Sequence, residues 1–255
     1  MKKTQACFVL GLAVLVGLVL TAPLRADVYM KNKTHTDAMQ IMGQSQPAKD
    51  ATMTFWMTES RVRMDQDGGT SSLWVADQKV LYMIDHNKKQ YAEMPLDFDK
   101  MFEQAGGDDP QAKEAMAKMP GFMKNMMQGM SAKVTETGET KVINGWNCRK
   151  YLIEMNMGMA GTTNMESWAT QDIKIDYTKI FTATNAMMAA MPGFDKIIQE
   201  MKKVKGVVVY QTAKSKVMGT EVGSTTELVE AGDKAAPAGT YDLPAGYKKV
   251  KAIKG

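Results

Sequence analysis

From Val28 to about Met94 apolar and polar residues alternate with a period of two. Thr52, Thr54, Trp56 and Thr58 interleave with Met53, Phe55 and Met57; after Glu59-Ser60, Val62 and Met64 continue the alternation against Arg61, Arg63 and Asp65. Successive side chains of a strand point to opposite faces, so this pattern predicts strands with one buried face. Asp67-Gly68-Gly69 supplies a turn, because glycine accepts the positive φ that tight hairpins require. Residues 72–75 and 80–84 form the next pair around Asp77-Gln78, and 90–94 closes this first sheet. Short connections of this kind predict antiparallel pairing.

The pattern changes at Pro95. Residues 97–104 suit a short helix, and Asp109 can cap a second one with Pro110 at its first position, where a missing N–H costs nothing. Within it Met116, Met119, Met123, Met126, Met127 and Met130 fall on one helical face, with Pro120-Gly121 breaking the stripe beside Phe122. Strands resume at Ala132. Asn144-Gly145 is the strongest hairpin signal in the chain, since both positions suit a type I′ turn, and on the strand after it Tyr151, Ile153, Met155 and Met157 share a face. After a partner strand at 163–170 comes a second helical region at 177–204. It carries Met187, Met188, Met191, Phe194, Ile197, Ile198, Met201 and Val204, and Pro192-Gly193 interrupts it. Residues 207–218 and 221–229 make a last hairpin around Gly219. The punctuated stretch 237–247 predicts irregular chain that tucks Tyr241, Leu243 and Tyr247 against the sheet.

The two helical regions share a nearly copied joint. Met116-Ala117-Lys118-Met119-Pro120-Gly121-Phe122-Met123-Lys124 and Met188-Ala189-Ala190-Met191-Pro192-Gly193-Phe194-Asp195-Lys196 agree at seven of nine positions. Together with 25 methionines in 255 residues, this repetition matters, because methionine is flexible and polarizable and its surfaces repack around apolar partners of different shapes. The expected arrangement is mainly β (α+β): a strongly curved antiparallel sheet or open barrel, covered by methionine-rich helical lids at about 97–130 and 177–204. A packed core filled by the same methionines is the plainer alternative. On the strands, Met53, Met64 and Met83 are expected to be ordinary core residues.

Residues 1–26 read as a removable signal peptide: Lys2-Lys3, an apolar run from Ala6 to Leu20, and Leu24-Arg25-Ala26 as an imperfect cleavage site. The run is shorter than the ~20 residues a spanning helix needs, although an uncleaved anchor is the alternative. No later segment is apolar enough to span a membrane, so the mature chain, 27–255, is expected to be one domain, periplasmic or secreted. Removing Lys2, Lys3 and Arg25 leaves 29 basic against 28 acidic side chains, a balance that disfavours nucleic acid as a partner. Cys148 is then the single remaining cysteine, expected as a small buried hydrophobe in a strand.

Catalytic signals are sparse. His35 and His86, expected at the surface or at hairpin ends, lie in no nucleophile or metal motif, and neither Gly-x-Ser-x-Gly, a phosphate-cradling loop nor Cys-x-x-Cys occurs. The expectation is a non-enzymatic protein without a cofactor, binding a lipid, acyl chain or other apolar ligand. Its candidate ligand contacts are Met116, Met119, Phe122, Met123, Met126 and Met127 in the first lid, with Met187, Met188, Met191, Phe194, Ile198 and Met201 in the second. Two alternatives stand beside it. Thioethers are soft ligands for Cu(I), and Met155, Met157 and Met159 have a usable spacing. A structural or stress-related envelope protein could also use a methionine surface to hold other proteins.

Three stretches carry a resemblance: Gly138-Glu139-Thr140-Lys141-Val142-Ile143-Asn144-Gly145-Trp146-Asn147-Cys148-Arg149-Lys150-Tyr151, Glu166-Ser167-Trp168-Ala169-Thr170-Gln171-Asp172-Ile173, and Leu243-Pro244-Ala245-Gly246-Tyr247. From about Val28 to Lys249 the chain resembles a bacterial exported family of unknown function that is similar to the lipoprotein-carrier (LolA/LolB-like) fold. That resemblance implies an open antiparallel barrel of about eleven strands covered by helices, with an apolar cavity for acyl chains.

Overall fold

The computed structural model describes residues 26–41, 44–96, 129–158, 161–189, 194–217 and 220–253. Its main feature is a twelve-stranded sheet that does not close, built of two five-stranded meanders joined through one strand. The joining strand is β1 (Asp27–Thr36). On one side it pairs with β4 (Lys49–Met57), which continues into β5 (Arg61–Gln66), β6 (Thr70–Val75), β7 (Val80–Asp85) and β8 (Gln90–Pro95). On the other it pairs with β13 (Thr220–Lys234), which leads back through β12 (Val207–Val217), β11 (Thr162–Thr170) and β10 (Trp146–Asn156) to the edge strand β9 (Ser131–Ile143). β2 (Met39–Ile41) and β3 (Gln44–Gln46) form a separate small hairpin.

Two details depart from the sequence expectation. The sheet has twelve strands among the described residues rather than about eleven, and it is mixed rather than purely antiparallel. β14 (Lys248–Val250) pairs parallel with β8, Lys248 opposite Gln90. Parallel pairing needs a long crossover, which is supplied here by the whole C-terminal half of the chain, so no local sequence signal marks it. The hairpin turns follow the expectation more closely. Asn144 (φ 51°) and Gly145 (φ 85°) occupy the left-handed region at the β9–β10 connection, as a type I′ turn demands.

Each face of the sheet has its own cover. On the inner face Val28, Met57, Val209 and Leu228 form a cluster with Cys148, which is 1% exposed; burial pushes its thiol pKa up. On the outer face of the first meander, Leu73, Val75 and Ile84 pack with Tyr241, Leu243 and Tyr247 from the irregular tail, the docking the sequence predicts. Met83 departs from its predicted core role: it is 37% exposed, because its position in β7 opposite Ser72 and Ala92 faces away from that cluster. Met53 and Met64 are half-buried.

Helix α2 (Asp195–Met201) packs on β9 of the second meander, and α1 (Tyr177–Ala189) touches α2 and reaches β4 beside the joining strand. The Asp176 carboxylate accepts the Thr178 N–H at 3.0 Å and so caps the start of α1, where backbone donors would otherwise be unpaired. α1 runs to Ala189 and α2 begins after Phe194; the expected joint at Pro192-Gly193 lies outside the described residues. The first expected lid, apart from Gly129 and Met130, lies outside the described residues. Among those that are described, the methionine-rich character of the helical cover is therefore not seen.

Candidate functional site

The roof of the site is set by what anchors the two helices. Tyr177 donates its hydroxyl to the Ile173 carbonyl at 2.8 Å and packs with Ile180 against the inner cluster; burial raises its pKa. Ala183 and Ile197 are fully buried, which fixes one side of each helix. Met201 and Val204 pack onto Val134, Tyr151, Ile153 and Ala169. The Glu200 carboxylate accepts the Val134 N–H at 2.9 Å, tying α2 to the edge strand β9, and also holds Lys203. Lys203 and the Val134 N–H together keep its pKa below the ordinary glutamate value.

Between these anchors the helices stand off the sheet and leave a cleft of about 750 Å³. Its floor is Met30 and Asn32 of β1, Val207, Val208 and Gln211 of β12, and Thr226 of β13. The roof is Ile180 and Phe181 of α1 with Ile198, Met201 and the following Val204. Lys202 and Lys205 also border it, and the Lys202 ammonium lies 5.1 Å from the centre of the Phe181 ring. Gly206 lines the turn back into the sheet with φ +99°, and a Cβ there would stand 2.0 Å from the Thr170 carbonyl oxygen. Glycine is thus required for the chain to pass from α2 into β12.

Only part of this site matches the residues expected from sequence. Ile198 and Met201 line the cleft. Phe194 precedes α2 and is half-buried outside the lining, while Met187 and Met188 are in α1 with side chains outside the described set. Met116, Met119, Phe122, Met123, Met126, Met127 and Met191 lie outside the described residues. Of the alternative copper set, Met155 packs in the Tyr151–Ile153 cluster, Met157 follows β10 with its N–H donated to the Gly161 carbonyl, and Met159 is outside the described residues. The residues missed are the first turns of α1, the Lys202–Val208 return and the polar floor. A signal existed for the floor: Asn32 and Thr34 alternate with Lys31 and Lys33, so β1 carries polar groups on both faces.

A second cluster joins the tail to the first meander. Ser71 donates to Asp65 at 2.6 Å, because a carboxylate can only accept; His86 Nε2 lies 2.7 Å from the same Ser71 oxygen and 3.3 Å from the Arg63 guanidinium, which can only donate. The Tyr247 hydroxyl completes the chain at His86 Nδ1, 3.0 Å away, and Arg63, buried, pairs with Asp65 at 2.7 Å. Here the serine proton is committed to the carboxylate rather than to the histidine. His86 does stand at a hairpin end, as expected, but its ring is held from both sides. His35 is exposed and paired with Asp50 at 2.6 Å, which raises its pKa.

Solved structures offer likenesses at low identity. "Structure of PNGF-II in C2 space group" matches with 10% identity and a TM-score of 0.36 over 89% of this chain. The chain spans only 31% of the length of that protein. A putative outer membrane lipoprotein-sorting protein domain from Vibrio parahaemolyticus matches with 8% identity and a TM-score of 0.31, covering 85% of this chain and 89% of the other. A DUF1329 family protein from Desulfovibrio piger matches with 9% identity and a TM-score of 0.30 over the same shares. No curated protein matches the sequence. The model of one family, the domain of unknown function DUF4412, matches residues 35–247, and the chain belongs to that family.

Proposed function

We propose that the protein is a non-enzymatic binding or carrier protein for a lipid or other apolar ligand, working in the periplasm after residues 1–26 are removed. The observation that carries this reading is the cleft beneath α1 and α2. Its volume lies within the roughly 300–1,000 Å³ of small-molecule sites, and its lining is mostly apolar with a few polar groups, the usual composition of such sites. Apolar surface of this extent is favourable to cover, at roughly 25 cal/mol for each Å² removed from water. Lys202 and Lys205 at its border suit the anionic head of an amphiphile whose chain lies inside. Native mass spectrometry of protein purified from its own compartment tests the reading. Bound lipid, or uptake of fatty acids or phospholipids by stripped protein, is expected; recovery of empty protein that takes up neither overturns it. N-terminal sequencing of the same sample should begin at Asp27.

A further inference from the structure

The cleft floor is not uniformly apolar. Strand registers place Ser167 opposite Gln211, Gln211 opposite Thr226, and Thr226 opposite Thr34. A polar row thus crosses β11, β12, β13 and β1 at right angles to the strands, with Asn32 two residues from Thr34 on the same face of β1. The two threonines satisfy each other, Oγ1 to Oγ1 at 3.0 Å. The remaining three groups are poorly satisfied. Among the described residues three buried side-chain atoms have no hydrogen-bond partner in the protein, and two of them belong here: Asn32 Oδ1 and Ser167 Oγ, the third being Trp74 Nε1 in the other meander. Gln211 Nε2 donates only to the Met165 thioether sulfur, a weak acceptor.

Leaving buried polar groups without good partners is costly, and two of these residues, Asn32 and Gln211, line the cleft, where a bound molecule would complete them. The missing set at the cleft is one acceptor, Asn32 Oδ1, and one donor, Gln211 Nε2. A secondary amide complements it, offering N–H to the first and C=O to the second; an ester offers only the carbonyl. Spacing agrees as well. Asn32 pairs with Leu228 and Gln211 with Thr226, so the two stand about 10 Å apart across the sheet and about 7 Å apart along it, roughly 12 Å in all. An amide with a hydrogen bond at each end spans about 8 Å between its partners, and the two side chains close the difference.

Resting on the ligand-binding reading above, we propose that the cleft selects acyl chains joined through an amide over those joined through an ester, with Asn32 and Gln211 as the specificity-determining residues. The test is displacement of a fluorescent apolar probe, N-phenyl-1-naphthylamine, from the full chain by two matched compounds. These are N-(2-hydroxyethyl)hexadecanamide and 2-hydroxyethyl hexadecanoate, which differ only in N–H against O. The amide should bind about tenfold more tightly, the worth of one well-made buried hydrogen bond. In Asn32→Leu the preference should vanish, the amide binding no more tightly than the ester. Gln211→Leu should weaken both compounds and serves as the second variant should Asn32→Leu fail to fold by far-UV circular dichroism. Equal affinity of both compounds for the unaltered protein overturns this inference and leaves the cavity reading standing, whereas binding of neither overturns both.

Discussion

The two meanders have the same number of strands and opposite solutions to the same burial problem. In the first, β5 to β8 are six residues each, and their outer face is filled by Tyr241, Leu243 and Tyr247 from the tail. In the second, the strands run to 15 residues in β13, and their inner face is roofed by two helices that leave a cleft. Three aromatic or aliphatic side chains arriving on an irregular segment adapt one by one to the sheet, and the space left beside them, about 420 Å³ between the tail and Arg63 and Asp65, is smaller than the cleft. A helix is a rigid rod of about 10 Å diameter, and where it is held along one side only, as at Ala183 and Ile197, its other side can leave space over the sheet. The difference teaches that the tail-covered region holds the shape and the helix-roofed region holds the space.

The comparison breaks most severely at Gly206. An alanine there must either clash with the Thr170 carbonyl at 2.0 Å or displace the turn that carries α2 over the sheet, and the positive φ adds strain. We expect Gly206→Ala to cost about 3 kcal/mol or more in urea unfolding and to abolish probe uptake. A cost below about 1 kcal/mol with uptake intact would show that the roof does not depend on this turn.

Filling the space should separate binding from stability. Thr184 of α1 borders the cleft and is half-buried, so Thr184→Trp places a large ring where a ligand would lie. Probe affinity is expected to fall tenfold or more, about 1.4 kcal/mol, with an unchanged or slightly higher melting temperature. A drop in stability of the same size without any change in affinity would mean that the ring did not enter the cleft.

In the tail-covered region the corresponding test removes one atom. Tyr247→Phe retains the ring that packs beside Leu73 and Ile84 but deletes the hydroxyl that meets His86 Nδ1 at 3.0 Å. About 1 kcal/mol should be lost, with the tail cleaved sooner by protease and probe uptake unchanged. If uptake fell as well, the two meanders would be coupled rather than separate in role.

How much of this was legible in the sequence follows the range of each interaction. Period-two alternation and Asn144-Gly145 are local, and they place the strands and the β9–β10 hairpin correctly. The tail's three aromatic and aliphatic anchors were readable because nothing else in that stretch could be buried. The parallel partner of β14, the Ser71–His86–Tyr247 chain and the polar row from Ser167 to Thr34 join residues far apart in sequence, and only the register brings them into line. Methionine richness drew the candidate site toward the Met-Pro-Gly-Phe joints. Apart from Phe194 those joints lie outside the described residues; the cleft that is described takes in Ile198 and Met201 of the expected set with Phe181, Ile180 and the Lys202–Val208 return, whose local composition is unremarkable.

The smallest effect concerns how the roof is fastened. Glu200 ties α2 to β9 through the Val134 N–H, and its folded pKa lies below the ordinary value because Lys203 and that N–H favour the carboxylate. A carboxyl group with a depressed folded pKa adds stability that is complete above its unfolded pKa, about 4.3, and is lost as the pH falls through the folded value. Melting temperatures followed from about pH 6 to about pH 3 should therefore decline more steeply for the unaltered protein than for Glu200→Gln, which has no charge to lose there. The amide still offers an oxygen to Val134, so the variant should start slightly lower and the two curves should converge as the acid limit is reached. Because the group is open to solvent and salt screens it, the gap is expected to narrow further in 1 M salt. Parallel curves at all pH values would show that α2 is held by Ile197, Ile198 and Met201 alone, and that the edge strand contributes nothing to keeping the cleft open.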